Sequence, residues 1–201
     1  MYTQEVEKGT SRNWDWLTSG LLFLLIQVSA ARLVTTNWTP NLYFGESLAA
    51  FGTTLGLALG ASRFRRSAII WLAIAYTIVI LPWQLAGAAL EKLLLDRLEH
   101  VGGILLISLG QFSQRQPVKD PLFFVAFVCL VFWIMSMVAG YWAARHRNIL
   151  VGMLPSGIII ILIQIYANYQ PHSSWWLAVY ILVALLLIGR VYYLQSEKAW
   201  S

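Results

Sequence analysis

Two ionisable residues, Arg32 and Glu46, stand inside long apolar stretches of this chain. Charged side chains in such settings are rare, and they are the first place to look for a ligand site, an ion path or a proton relay. Arg32 lies near the far end of the run that starts at Leu17, and Glu46 lies about one turn into the next run, which starts near Leu42. The link between them, Asn37–Tyr43 (NWTPNLY), is short. An antiparallel helix pair joined so tightly brings the two levels together, within reach of an arginine side chain. The pair reads either as a ligand or ion site or as a structural clasp in which each charge neutralises the other. The clasp is preferred, because neither residue reaches the middle of its run.

Other chemistry is sparse. The sequence has no Walker loop, no HExxH, no GxSxG and no dinucleotide fingerprint. His100, His146 and His172 fall on three separate connections, with His146 expected on the opposite side of the membrane from the other two. They cannot share a metal, and no metal or cofactor is expected. Cys129, the single cysteine, sits among Val128, Leu130 and Val131 and reads as a small buried hydrophobe. Gln27, Gln84 and Gln164 are polar residues within apolar runs and are expected to hydrogen-bond between helices.

The elements that must position these residues are helices. The chain has 201 residues, of which 59% are apolar and only 11% charged. Soluble domains carry about 25% charge, so the class is an all-α polytopic membrane protein. Six spans are expected, in two groups of three: residues 17–89 hold the first three and 121–194 the last three, flanked by cytoplasmic segments 1–16 and 195–201. Individually they run Leu17–Thr36, Leu42–Ser62, Ser67–Ala89, Pro121–Ala144, Ile149–Tyr166 and Trp175–Leu194. In the second span Gly52, Gly56 and Gly60 recur every four residues. Such a stripe lets another helix approach closely. It reads as packing within the bundle in preference to a dimer contact.

Between the groups, residues 90–120 form an extracytoplasmic interfacial element. Leu90, Leu93, Leu94, Leu98 and Val101 make an apolar stripe opposite Glu91, Lys92, Asp96, Glu99 and His100, as in a helix lying in the membrane surface. Gly102 and Gly103 are expected to break that helix before a second short apolar run, Ile104–Phe112.

The basic loops RFRR (63–66) and RHRN (145–148) orient the chain, since short basic loops face the cytoplasm. Both termini then lie there too, and the net charge of +5 is a topology signal rather than a nucleic-acid footprint. The three-and-three division gives the halves inverted topology, as in many carriers. A small-solute transporter or a ligand sensor is thus the alternative to an anchor or scaffold. Against a carrier, Pro82 and Pro155 do not fall at corresponding positions of the two halves.

Several stretches together carry a resemblance: NWDWLTSGLLFLLIQVSAARLVTTNWTP, LPWQL, LLISLGQFSQRQPVKDPLFF and LPSGIIIILIQIY. In order and spacing they resemble the amino-terminal membrane region of bacterial transglutaminase-like membrane proteins, the TgpA-like group. In that family such helices precede one further span, an extracytoplasmic papain-like domain and a carboxy-terminal anchor. The family's catalytic Cys-His-Asp set has no counterpart in these 201 residues, because Cys129 lies within a span. The resemblance therefore implies a non-enzymatic anchor or scaffold in the bacterial inner membrane, cut from the enzyme or encoded separately. Its partners would be the lipid bilayer and a downstream transglutaminase-like domain or a separate membrane protein.

Overall fold

The computed structural model describes residues 15–87, 93–117, 120–167 and 175–200. Among them are seven helices and no strand: α1 Trp16–Val34, α2 Tyr43–Ala61, α3 Arg66–Ala86, α4 Leu94–Ser113, α5 Pro121–His146, α6 Leu150–Tyr166 and α7 Trp175–Trp200. Four of these, α1, α3, α5 and α7, are long and apolar enough to cross a membrane. α6 is apolar but has 17 residues. α2 matches α1 in length at 19 residues but is not among the helices apolar enough to cross. Expectations placed on residues 1–14, on Leu90 to Lys92, on His172 and on Ser201 lie outside the described residues.

Helix ends follow local chemistry. Pro121 opens α5 where its missing N–H is harmless, and Asp120 caps it by accepting from Leu122 N at 2.8 Å. The α5 C-cap, Arg147, is left-handed (φ 55°), a conformation usually given to Gly or Asn. α7 continues well past the expected end at Leu194, because LQSEKAW contains no helix breaker. α4 corrects a firmer expectation. It runs unbroken through Gly102 and Gly103, neither of which adopts positive φ. Two glycines weaken a helix by about 1 kcal/mol each relative to alanine, which Val101 and Ser108, buried in the fold, offset through packing. His100 is helical, as its place on the expected interfacial helix implied, whereas His146 closes α5 and is not a loop residue.

α2 and α5 form the centre, packed parallel with small residues facing each other. A Cβ on Gly52 would stand 2.9 Å from Trp133 O, and one on Gly60 would stand 2.7 Å from Tyr141 O. One on Gly56 would collide with Met137 O. The reverse face matches: a Cβ on Gly140 would meet Thr53 O at 2.5 Å and Leu57 N at 2.8 Å. The stripe is therefore an intramolecular packing face. α1 lies parallel to α6, with Leu22 against Gly152, and antiparallel to α7.

Two apolar clusters flank this pair. One gathers Leu22, Leu25 and Ile26 of α1 with Met135 and Ala139 of α5, Ile160 of α6 and Leu187 of α7. The other joins Phe44 and Leu48 of α2, Leu85 of α3, Val101 of α4 and Val125, Cys129 and Trp133 of α5. Outside, α3 exposes Ile70, Trp71, Ile74, Ile78 and Val79, and α7 exposes Ile181, Leu182, Leu185 and Leu186. An apolar exterior on this scale suits lipid contact and not water.

Candidate functional site

Arg32 is fully buried at the end of α1. Its position on the helix decides its partners. Leu22, Leu25, Ser29 and Arg32 recur at three- and four-residue steps and share the face turned to α6. Arg32 Nε donates to Gln164 Oε1 of α6 at 3.4 Å, and an Nη donates to Thr35 Oγ1 at 2.9 Å. Thr35 Oγ1 in turn donates to Arg32 O at 2.7 Å. Glu46, in the first turn of α2, is half-buried, and no ion pair joins it to Arg32 among the described residues. The contacts described for Arg32 run to Gln164 and Thr35, and the expected clasp with Glu46 is not among them. The two residues do share one end of the bundle, but the rotational phase of α1 sends the guanidinium towards α6.

The ion pair that the helices do make lies at the other end. Asp15, just before α1, accepts from Arg190 Nε and Nη of α7, both at 3.2 Å. It also accepts from the Thr18 hydroxyl. Burial pushes the Asp15 carboxyl up, but hydrogen bonds from Arg190, Thr18 and the Leu17 N–H together hold it below its ordinary value. The two residues are far apart in sequence, and the α1–α7 packing makes them partners.

A cluster of hydroxyls surrounds Pro155 in α6. Proline has no N–H, so the Val151 carbonyl loses its helical donor and the local ladder is loosened. Nearby carbonyls gain side-chain donors instead. Ser156 Oγ lies 2.7 Å from Gly152 O, and Tyr180 Oη of α7 donates to Met153 O at 2.6 Å. The two hydroxyl oxygens are 3.0 Å apart. Ser29 Oγ of α1 donates to Ser156 O at 3.1 Å. Ser29 and Ser156 are fully buried and Tyr180 nearly so. The cluster ties α1, α6 and α7 together at the proline. Its hydroxyls and backbone carbonyls brace the three helices against one another. The sequence signal was there, a proline followed by serine in an apolar run, but the tyrosine partner was not readable.

Trp133 plays a similar part between α5 and α3. It is fully buried, and its Nε1 donates to Thr77 Oγ1 at 2.8 Å. Gln164 bonds between helices as expected, whereas the buried Gln27 Nε2 has no hydrogen-bond partner among the described residues. Cys129 is buried in the cluster with Trp133. His146 stacks on Trp142 with ring centroids 4.4 Å apart. Among the described residues no group of three His, Cys, Asp or Glu side chains could hold a metal ion. No family model, curated protein or solved structure matches this chain.

Proposed function

We propose that this chain is a membrane-embedded anchor or scaffold, similar in role to the non-catalytic amino-terminal region of transglutaminase-like membrane proteins. The observation that carries this is the α2–α5 contact. α2 belongs to the first group of three spans and α5 to the second, and their backbones touch at Gly52, Gly56 and Gly60. A rocking carrier needs its two halves to separate and reclose. Here the seam between the halves is the tightest packing in the fold, braced again by Ser29 on Ser156 O. The bundle is built to hold its shape and to present what is attached to it.

We read six crossings. α2 and α6 lie alongside α5 and α1 at matched depth, so they cross wherever those helices cross. With RFRR and RHRN at the cytoplasmic end, α4 lies on the extracytoplasmic face of a bacterial inner membrane and both termini lie inside. A tethered transglutaminase-like domain or a separate membrane protein would be the cargo.

One observation favours the alternative, a small-solute carrier or ligand sensor. With α4 set aside, exchanging α1 with α5, α2 with α6 and α3 with α7 turns every packed pair among those six helices into another packed pair, as in an inverted repeat. Spin labels distinguish the readings. Pairs at Phe64 with His146, and at Asn41 with Gln116, in lipid nanodiscs should each give one distance population. Two populations that change in opposite senses at the two ends would establish the carrier.

A further inference from the structure

At one end of the bundle the links α2–α3 and α5–α6 come side by side. The close approach of Gly60 to Tyr141 O fixes this, and Arg145 reaches across to donate to Ser62 O at 2.8 Å. That bond places a cation on the negative end of α2. Arg63, Arg65, Arg66 and Arg147 are thereby gathered on one exposed surface, and among the described residues no carboxylate pairs with any of them. Of the described carboxylates at this end, Asp15 is engaged by Arg190 and Glu197 stands on α7 near the same arginine. The opposite end is different, with Asp96, Glu99 and Asp120 beside Arg97 and Arg115.

The start of α3 sharpens the point. Its N-cap is Arg65, which makes no capping hydrogen bond, and its first turn has no acidic residue. Cationic side chains at the positive end of a helix are unfavourable unless an anion joins them. Apolar rings rim the patch: Phe64 and Trp142 are exposed, and so is Trp71 further along α3. Guanidinium beside exposed aromatic carbon suits a phosphate diester whose chains lie in hydrocarbon, and suits a free anion less well.

We propose that this surface binds the headgroups of anionic phospholipids in the leaflet it faces; the inference rests on the membrane reading above. The test uses the full chain in detergent, scored for retained lipid by native mass spectrometry and for thermal midpoint, with phosphatidylglycerol against phosphatidylcholine. Phosphatidylglycerol should be retained and should raise the midpoint. Arg65→Gln/Arg66→Gln/Arg147→Gln should weaken that preference roughly 100-fold, at about fivefold per charge. Single changes give a matched control, since Arg115 and Arg147 are both left-handed residues. Arg147→Gln should weaken the preference and Arg115→Gln should not. Equal retention of both lipids, equal loss in the two single variants, or the same stabilisation by inorganic phosphate alone would each overturn the proposal. If the protein instead fails to float with vesicles of either composition, the membrane reading itself is what fails.

Discussion

Arg32 donates to Gln164 and Thr35, and those partners decide what its removal does. Arg32→Met should cost about 1.5–3 kcal/mol, the range for lost hydrogen bonds to a charged group. A double-mutant cycle against Gln164→Leu, read by unfolding in detergent, should show coupling, while Glu46→Ala should be additive with Arg32→Met. Coupling to Glu46 with none to Gln164 would restore the clasp. Asp15 makes a pH prediction. Its folded pKa is depressed, so the stability it contributes is present above the ordinary carboxylate value of about 3.9 and lost as pH falls through the lower folded value. The pair is partly exposed (side chains 30% and 21%), so the effect is at most about 1 kcal/mol. Asp15→Asn should flatten the acid limb of a stability–pH curve; an unchanged limb would dismiss the tie. Both residues were legible as charges near helix ends. Their partners were not, because sequence spacing reports depth along a helix but only tertiary packing selects the neighbour facing each side.

Among the helices, the glycine periodicity of α2 was plain in the sequence, and so was its reading as a packing face. Its counterpart on α5, Ser136, Gly140 and Ala144, has the same four-residue spacing but is interleaved with Met137, Tyr141 and Trp142, whose bulk hides the stripe in a linear scan. Gly56→Ala should destabilise by about 1–3 kcal/mol, because the Met137 backbone has to move. Gly20→Ala, where a Cβ meets nothing within 4 Å, should be neutral or slightly stabilising. Equal thermal shifts for the two variants would mean that α2 is not pressed against α5. The glycine pair in α4 misled for a related reason. Glycine lowers helix propensity but does not forbid a helix, and burial of Val101 and Ser108 decides the matter.

Taken whole, the molecule carries exposed arginines at one end and mixed charge at the other, and the orientation we propose rests on that difference. Cysteine at Phe64 should resist a membrane-impermeant thiol reagent added to intact cells, and cysteine at Asn41 should react. The background is low because Cys129, the single native cysteine, is fully buried. Labelling at position 64 with protection at 41 would invert the chain. The helical class and most helix bounds were legible because apolar runs and basic loops are local signals. The inverted pairing of the two helix triplets was not, since it depends on contacts far apart in the chain.

The embrace of α2 and α5 also sets an order of events during synthesis. Gly56 must wait for Met137, some eighty residues later, before its face is covered. Until then α2 carries a bare glycine track. Long-range contacts of this kind close late and make assembly slow. A chain halted after α4 keeps that track open, and the surface that fits it best is the α5 of another copy. Exchange of α5 between two molecules is therefore the misassembly that this packing predicts.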